Sequence, residues 1–214
     1  MEERNLIQHL IEKGVLTKEG MRAYLRETDL KPSYSEIKDG VLVKFDSRDL
    51  VSGRYVTPLG VTAIGDKAFA YNRDIKSIGM RKDVKKIGTQ AFLRCDNLRK
   101  VEMTNAVQEL GSEAFSSCDE LEIIKLSKNI KRLPYCVFAD CCDLTSLILP
   151  EALERIEDNA FYNCTGLTLI SKPTQNLKWV SRIAFNKCPV GGDYLMIYDK
   201  IQEQKKEKSE VTPK

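Results

Sequence analysis

The stretch Ile87-Gly88-Thr89-Gln90-Ala91-Phe92-Leu93-Arg94-Cys95-Asp96-Asn97-Leu98 repeats itself along a chain of 214 residues. Its central pair, Ala91-Phe92, returns as Ala68-Phe69, Ala114-Phe115, Val137-Phe138, Ala160-Phe161 and Ala184-Phe185. From Phe to Phe the steps are 23, 23, 23, 23 and 24 residues. A fixed period of this size predicts a solenoid, in which each unit buries its apolar face only against its neighbours. Phe69, Phe92, Phe115, Phe138, Phe161 and Phe185 then share one environment and are expected to stack as a spine. The pair is expected on a short helical turn, with the small Ala allowing close approach.

Downstream of each Phe comes an L-x-x-L-x-L segment: Leu98, Val101 and Met103 in the unit quoted. Its counterparts are Ile75, Ile78 and Met80, then Leu121, Ile124 and Leu126, then Leu144, Leu147 and Leu149. In the last set, Leu167 and Ile170 are followed by Lys172. A spacing of two is strand periodicity, so these segments predict a parallel sheet with one face on the core. A second apolar pair, such as Val107 and Leu110, closes each unit. Gly65, Gly88 and Gly111 follow that pair in three units, but Pro134, Glu157 and Ser181 take the place in others. A left-handed backbone is therefore not obligatory there.

Cys95, Cys118, Cys141, Cys164 and Cys188 each stand three residues beyond a spine Phe, and Asn72 holds that place in the first unit. A column that accepts Asn or Cys offers a donor to backbone carbonyls where the chain turns inward. The column is read as buried, reduced and structural. Disulfides between adjacent turns and a shared zinc are the competing readings. A straight column does not wrap four thiolates around one ion.

The remaining sequence bounds the function. With 34 basic and 31 acidic residues, the net charge of +3 does not by itself point to nucleic acid. No run of about 18 apolar residues is present to suggest a membrane span. The segment Met1-Glu2-Glu3-Arg4-Asn5 lacks an apolar signal core, so a cytoplasmic location is expected, with the cell surface as the alternative. The one histidine, His9, has no second His to complete a metal site and lies away from the repeats. No phosphate-binding or dinucleotide motif occurs. No catalytic residue, metal, cofactor or small-molecule substrate is expected. The chain is divided into an N-terminal helical cap (1–34), a solenoid (35–190) and a C-terminal cap strand or helix with a charged tail (191–214).

Taken together, the period, the Ala-Phe pair, the Cys column and the L-x-x-L-x-L strands resemble BspA-type leucine-rich repeats. The resemblance spans about residues 37 to 190. It implies an α/β repeat solenoid: a right-handed superhelix with a concave parallel sheet and short helical turns on the other side. It also implies protein binding, and many such proteins resemble bacterial surface adhesins.

The outward columns of the predicted sheet are the candidate binding face. The residues chosen are Lys100, Glu102, Ile123, Lys125, Ser146, Ile148, Leu169 and Ser171. Ile123, Ile148 and Leu169 are apolar where solvent favours polar groups, which reads either as a binding patch or as ordinary surface. A second outward set is basic: Lys85, Lys86, Lys131, Arg132, Arg155 and Lys178. It reads as a solvated edge or as a surface for an acidic protein; interleaved aromatics for nucleic acid are missing. Trp179, at a charged position of the repeat, is either covered or an exposed anchor. The expected function is a non-catalytic protein–protein interaction module using the concave sheet; the alternative is an adhesin-like surface protein.

Overall fold

The computed structural model describes residues 33–172, 174–192 and 199. The caps expected over 1–34 and 191–214 lie outside these residues except at 33, 34, 191, 192 and 199, and His9 is likewise outside. Strand β1 (Glu36–Lys38) pairs antiparallel with β2 (Val41–Lys44). Asp39 and Gly40, with φ of 49° and 75°, make the two-residue turn between them. Two successive positive φ values match the right-handed twist of a hairpin, which is why Asp-Gly stands there. A short 3₁₀ turn over Ser47–Asp49 follows, capped by the Asp46 carboxylate.

Six turns come next, and each carries two short strands. Turn one holds β3 (Arg54–Val56) and β4 (Ala63–Ile64); turn two, β5 (Ser77–Gly79) and β6 (Lys86–Ile87). Turn three holds β7 (Lys100–Glu102) and β8 (Glu109–Leu110); turn four, β9 (Ile123–Lys125) and β10 (Arg132–Leu133). Turn five holds β11 (Ser146–Leu147) and β12 (Arg155–Ile156); turn six, β13 (Leu169–Ile170) and β14 (Trp179–Val180). From turn two onward the first strand is the predicted L-x-x-L-x-L strand, whereas β3 of turn one lies ahead of the first predicted segment. The second, at the closing apolar pair, is a finding: the solenoid has two parallel sheet sides where one was expected. In both, the inward residue is buried and its neighbours face out, as a pleat requires.

The third side corrects a further expectation. The Ala-Phe segments are not helical turns. The residue before each Ala or Val and the residue two beyond each Phe often stand in the left-handed region, as at Gln90 (φ 56°) and Arg94 (φ 55°), or Glu113 and Ser117. Left-handed residues stop a helix from propagating. The backbone instead alternates its donors. Lys67, Phe69 and Tyr71 N–H groups reach forward to the carbonyls of Thr89, Ala91 and Leu93 in the next turn, at 3.0, 2.8 and 2.7 Å. Ala68, Ala70 and Asn72 N–H groups bond back to carbonyls of Gly65, Lys67 and Phe69 within the same turn. The amides of this side are thereby matched from turn to turn without a helix or an ordinary strand.

The core is a column of identical environments. Phe69, Phe92, Phe115, Phe138 and Phe161 are fully buried, and each ring stacks on the next with centroids 4.6 to 5.7 Å apart, continuing to Phe185 at 4.9 Å. Phe45 adds a ring at the start of the file, 4.4 Å from Phe69, and Tyr55 packs edge-on against both. Glycine at 111 is needed for approach rather than for φ. A Cβ there would stand 2.3 Å from Thr89 N and 2.4 Å from Gly88 C.

Candidate functional site

The Cys column takes the geometry its spacing implies. Sγ of Cys95, Cys118, Cys141 and Cys164 donates to the carbonyls of Phe69, Phe92, Phe115 and Phe138 at 3.1, 3.2, 3.1 and 3.0 Å. Each thiol therefore lies against the spine residue of the preceding turn. Cys188 departs, facing Leu167 O at 4.0 Å. Asn72 holds its own turn by accepting from the N–H groups of Asp74 and Ile75. All seven cysteines are free thiols. Burial pushes Cys95 up to about 12 and raises Cys118, Cys141 and Cys164 well above the ordinary thiol value, so these thiols stay protonated and unreactive while the fold is closed. Among the described residues there is no cluster of His, Cys, Asp and Glu able to hold a metal ion, and no helix is long and apolar enough to cross a membrane.

On the first sheet side, Lys100, Ile123, Lys125, Ser146, Ile148 and Leu169 are exposed, while Glu102 and Ser171 are half-buried. The three apolar members are 54%, 80% and 69% exposed for Ile123, Ile148 and Leu169. Lys100 lies beside Ile123 in register, and Glu102 beside Lys125. Lys100 Nζ also bridges to Glu102 at 2.9 Å, and this hydrogen bond holds the Glu102 carboxyl below its ordinary range. Ser146 and Leu169 are direct partners across the last two turns.

The structure does not bring these residues onto one unbroken sheet. The ladder runs β3-β5-β7-β9, stops, and resumes as β11-β13. At the stop, Ile123, Ser146 and Ile148 line a cleft of about 420 Å³, with Lys125 and Glu151 at its rim. The second side is interrupted one junction earlier, between β8 and β10, where Glu109, Gly111, Lys131 and Arg132 line a polar cleft of about 870 Å³. Neither interruption was legible from the apolar spacing, which is regular across both.

The basic set on the second side is largely neutralised from turn to turn. Lys86 faces Glu109 at 3.6 Å, Lys131 and Lys178 share Glu154 at 3.7 and 2.7 Å, and Arg132 reaches Glu157 at 3.4 Å. The Lys178 hydrogen bond is the main reason the Glu154 carboxyl sits below its usual range. Arg155 lies over the Trp179 ring at 4.8 Å, so Trp179 is half-covered by the guanidinium of the preceding turn. These exposed pairs align the turns more than they stabilise them.

Comparison with known proteins agrees with this architecture. A leucine-rich repeat protein from Eubacterium ventriosum matches with a TM-score of 0.59 at 22% identity, over 71% of this chain and 47% of its own length. The chain thus spans about half of that protein. A leucine-rich repeat protein of T. pallidum matches with a TM-score of 0.56 at 19% identity, over 75% of this chain and 86% of its own. At such identities the likeness is one of fold. A leucine-rich cell surface protein from Faecalibacterium prausnitzii aligns more loosely, with a TM-score of 0.48 at 28% identity, over 70% of this chain and 33% of its own. No curated protein matches the sequence. The family model described as the BspA type leucine-rich repeat region matches residues 62–190 in six copies. With its spine, thiol column and paired sheet sides placed in the same periodic register, the chain belongs to the BspA-type leucine-rich repeat family.

Proposed function

We propose that this chain is a non-catalytic interaction module that binds a partner protein on the first sheet side, the side that the family resemblance makes concave in a right-handed superhelix. One observation carries the reading. Ile123, Ile148 and Leu169 are strongly exposed within three successive turns, and Ile123 and Ile148 flank one cleft. A cluster of exposed large apolar residues in a surface otherwise lined by Lys, Glu and Ser is characteristic of an interface. The second side supports a weaker claim, because its cations already have partners.

The test is quantitative capture from the source cell with the intact array, comparing wild type with Ile123→Asp/Ile148→Asp. Both side chains face solvent, so circular dichroism and melting should stay close to wild type. Captured partner should fall at least about tenfold, as expected when two interface anchors are lost. If capture persists in that variant and is lost in Lys131→Glu/Arg132→Glu, the binding face is the second side instead. We also place the module in a reducing compartment, because its buried thiols act as hydrogen-bond donors and oxidation would remove that role. Fractionation of the source cell separates this from an adhesin-like surface role.

A further inference from the structure

We propose that turn four is a seam at which the solenoid opens, dividing the stack into two cooperative parts. The inference is independent of where a partner binds. Its basis is four observations on one turn. First, the second sheet side is interrupted between turns three and four. Elsewhere on that side, Gly65, Gly88, Gly111, Glu157 and Ser181 each donate an N–H to the preceding turn, at 2.8 to 2.9 Å. The matching residue of turn four is Pro134, which has no N–H to donate. Second, the first side is interrupted between turns four and five. There the series Thr57 to Gly79, Met80 to Glu102 and Met103 to Lys125 is not continued by Leu126 among the described residues, and Leu126 is half-buried where Met80 and Met103 are buried.

Third, turn four carries Val137 where every other spine pair has Ala. Val137 is fully buried and adds two methyl groups at the closest approach of the turns. Fourth, the ring spacing is widest on both sides of that turn. Phe115 to Phe138 is 5.7 Å and Phe138 to Phe161 is 5.5 Å, against 4.6 and 5.0 Å for the two preceding pairs of the file. Turn four is still attached on the third side, where Phe115 and Phe138 N–H groups reach Val137 and Ala160 carbonyls at 3.0 and 2.9 Å. One corner is stitched by Asn129 Nδ2 to Asn105 O at 2.7 Å. Each junction of turn four therefore keeps two sides of its bonding and lacks a third. In a stack held only by nearest-neighbour contacts, a junction with fewer bonds opens first. The cleft holding Ile123 and Ile148 straddles the second junction, so opening changes their separation.

The thiol column supplies the test, because each Sγ faces the turn before it. Cys118 faces Phe92 within the first part, whereas Cys141 faces Phe115 across the seam. The full chain is exposed to iodoacetamide in sub-denaturing urea, and each cysteine is followed by peptide mass spectrometry. The expected result is a step in rate of at least about tenfold between Cys118 and Cys141, with Cys95 and Cys118 the slower pair. In Pro134→Ser/Val137→Ala, which restores a donor and a small spine neighbour, the Cys141 to Cys118 ratio should shrink about fivefold, the effect of one net hydrogen bond. Global unfolding exposes both thiols alike and drives the ratio toward one, so the two proteins are compared at urea concentrations where circular dichroism shows each fully folded. Equal rates at all column thiols, or a smooth decline inward from Cys188 without a step, would overturn the seam, and so would a ratio unchanged in the double variant. Pro134→Ser alone serves if the double variant does not fold.

Discussion

Truncating the spine at its centre and at its end separates stacking from mere burial. Phe115 is fully buried between Phe92 at 5.0 Å and Phe138 at 5.7 Å, with interplanar angles of 4° and 17°. Phe185 is 7% exposed and stacks on Phe161. Replacing a buried Phe by Ala costs about 3–5 kcal/mol. An aromatic contact adds about 0.5–1.5 kcal/mol beyond its area. Phe115→Ala loses two such contacts, to Phe92 and Phe138, and belongs near the top of the range; Phe185→Ala removes the ring that ends the described file against Phe161 and gives the comparison value. Against a total stability of about 5–15 kcal/mol, the central variant is strongly destabilised. Urea unfolding followed by circular dichroism gives both values. For Phe115→Ala the slope with urea should also fall, because a broken middle turn uncouples its neighbours. A loss under about 2 kcal/mol at Phe115, well short of the cavity range, would refute the stacked-core argument.

Other expectations follow from single contacts. In native buffer the half-buried Cys136 and Cys142 should react with a thiol reagent first, and the remaining five of seven only after unfolding. Gly111→Ala should cost about 1–3 kcal/mol in a denaturation curve, since the new methyl meets backbone atoms rather than a movable side chain. Burial, reinforced by the neighbouring Asp96 and Asp140, raises the Asp119 carboxyl above its ordinary value. The folded protein then binds the proton more tightly than the unfolded chain, so this residue's contribution to stability falls as pH rises through the carboxylate range. Asp119→Asn should therefore raise the melting temperature at pH 7, and the gain should vanish when the melts are repeated at acid pH.

The parts of this fold that were legible in advance are those that repeat a side-chain requirement. A ring that must be buried in every turn returns as Phe every 23 or 24 residues, and a polar contact needed at the inward turn returns as Cys, which donates to a spine carbonyl, or as Asn72, which instead accepts from backbone N–H groups. What was not legible depends on backbone rather than on side-chain type. The second sheet side has strands of two residues, too short to show alternation. The left-handed positions of the third side are filled by Lys, Tyr, Gln, Arg, Glu, Ser, Cys, Asp and Asn, with no glycine to announce them. Phe45 lacks an Ala before it and so did not join the spine on paper. The exposed isoleucines of the candidate face were readable from a period of two. The cleft between them was not, because it arises from missing ladder bonds. Pro134 and Val137 stood out as exceptions, but their effect became clear only once the register showed which donor Pro134 replaces.

The alternating backbone of the third side has a directional consequence. Because the forward-reaching amides all point toward the next turn and the receiving carbonyls all point back, their dipoles add along the axis instead of cancelling as in a plain sheet. The stack is thus electrically polar from end to end. Whatever closes the last turn must offer acceptors or negative charge, whatever closes the first must offer donors or positive charge, and a lid built for one end would be repelled by the other.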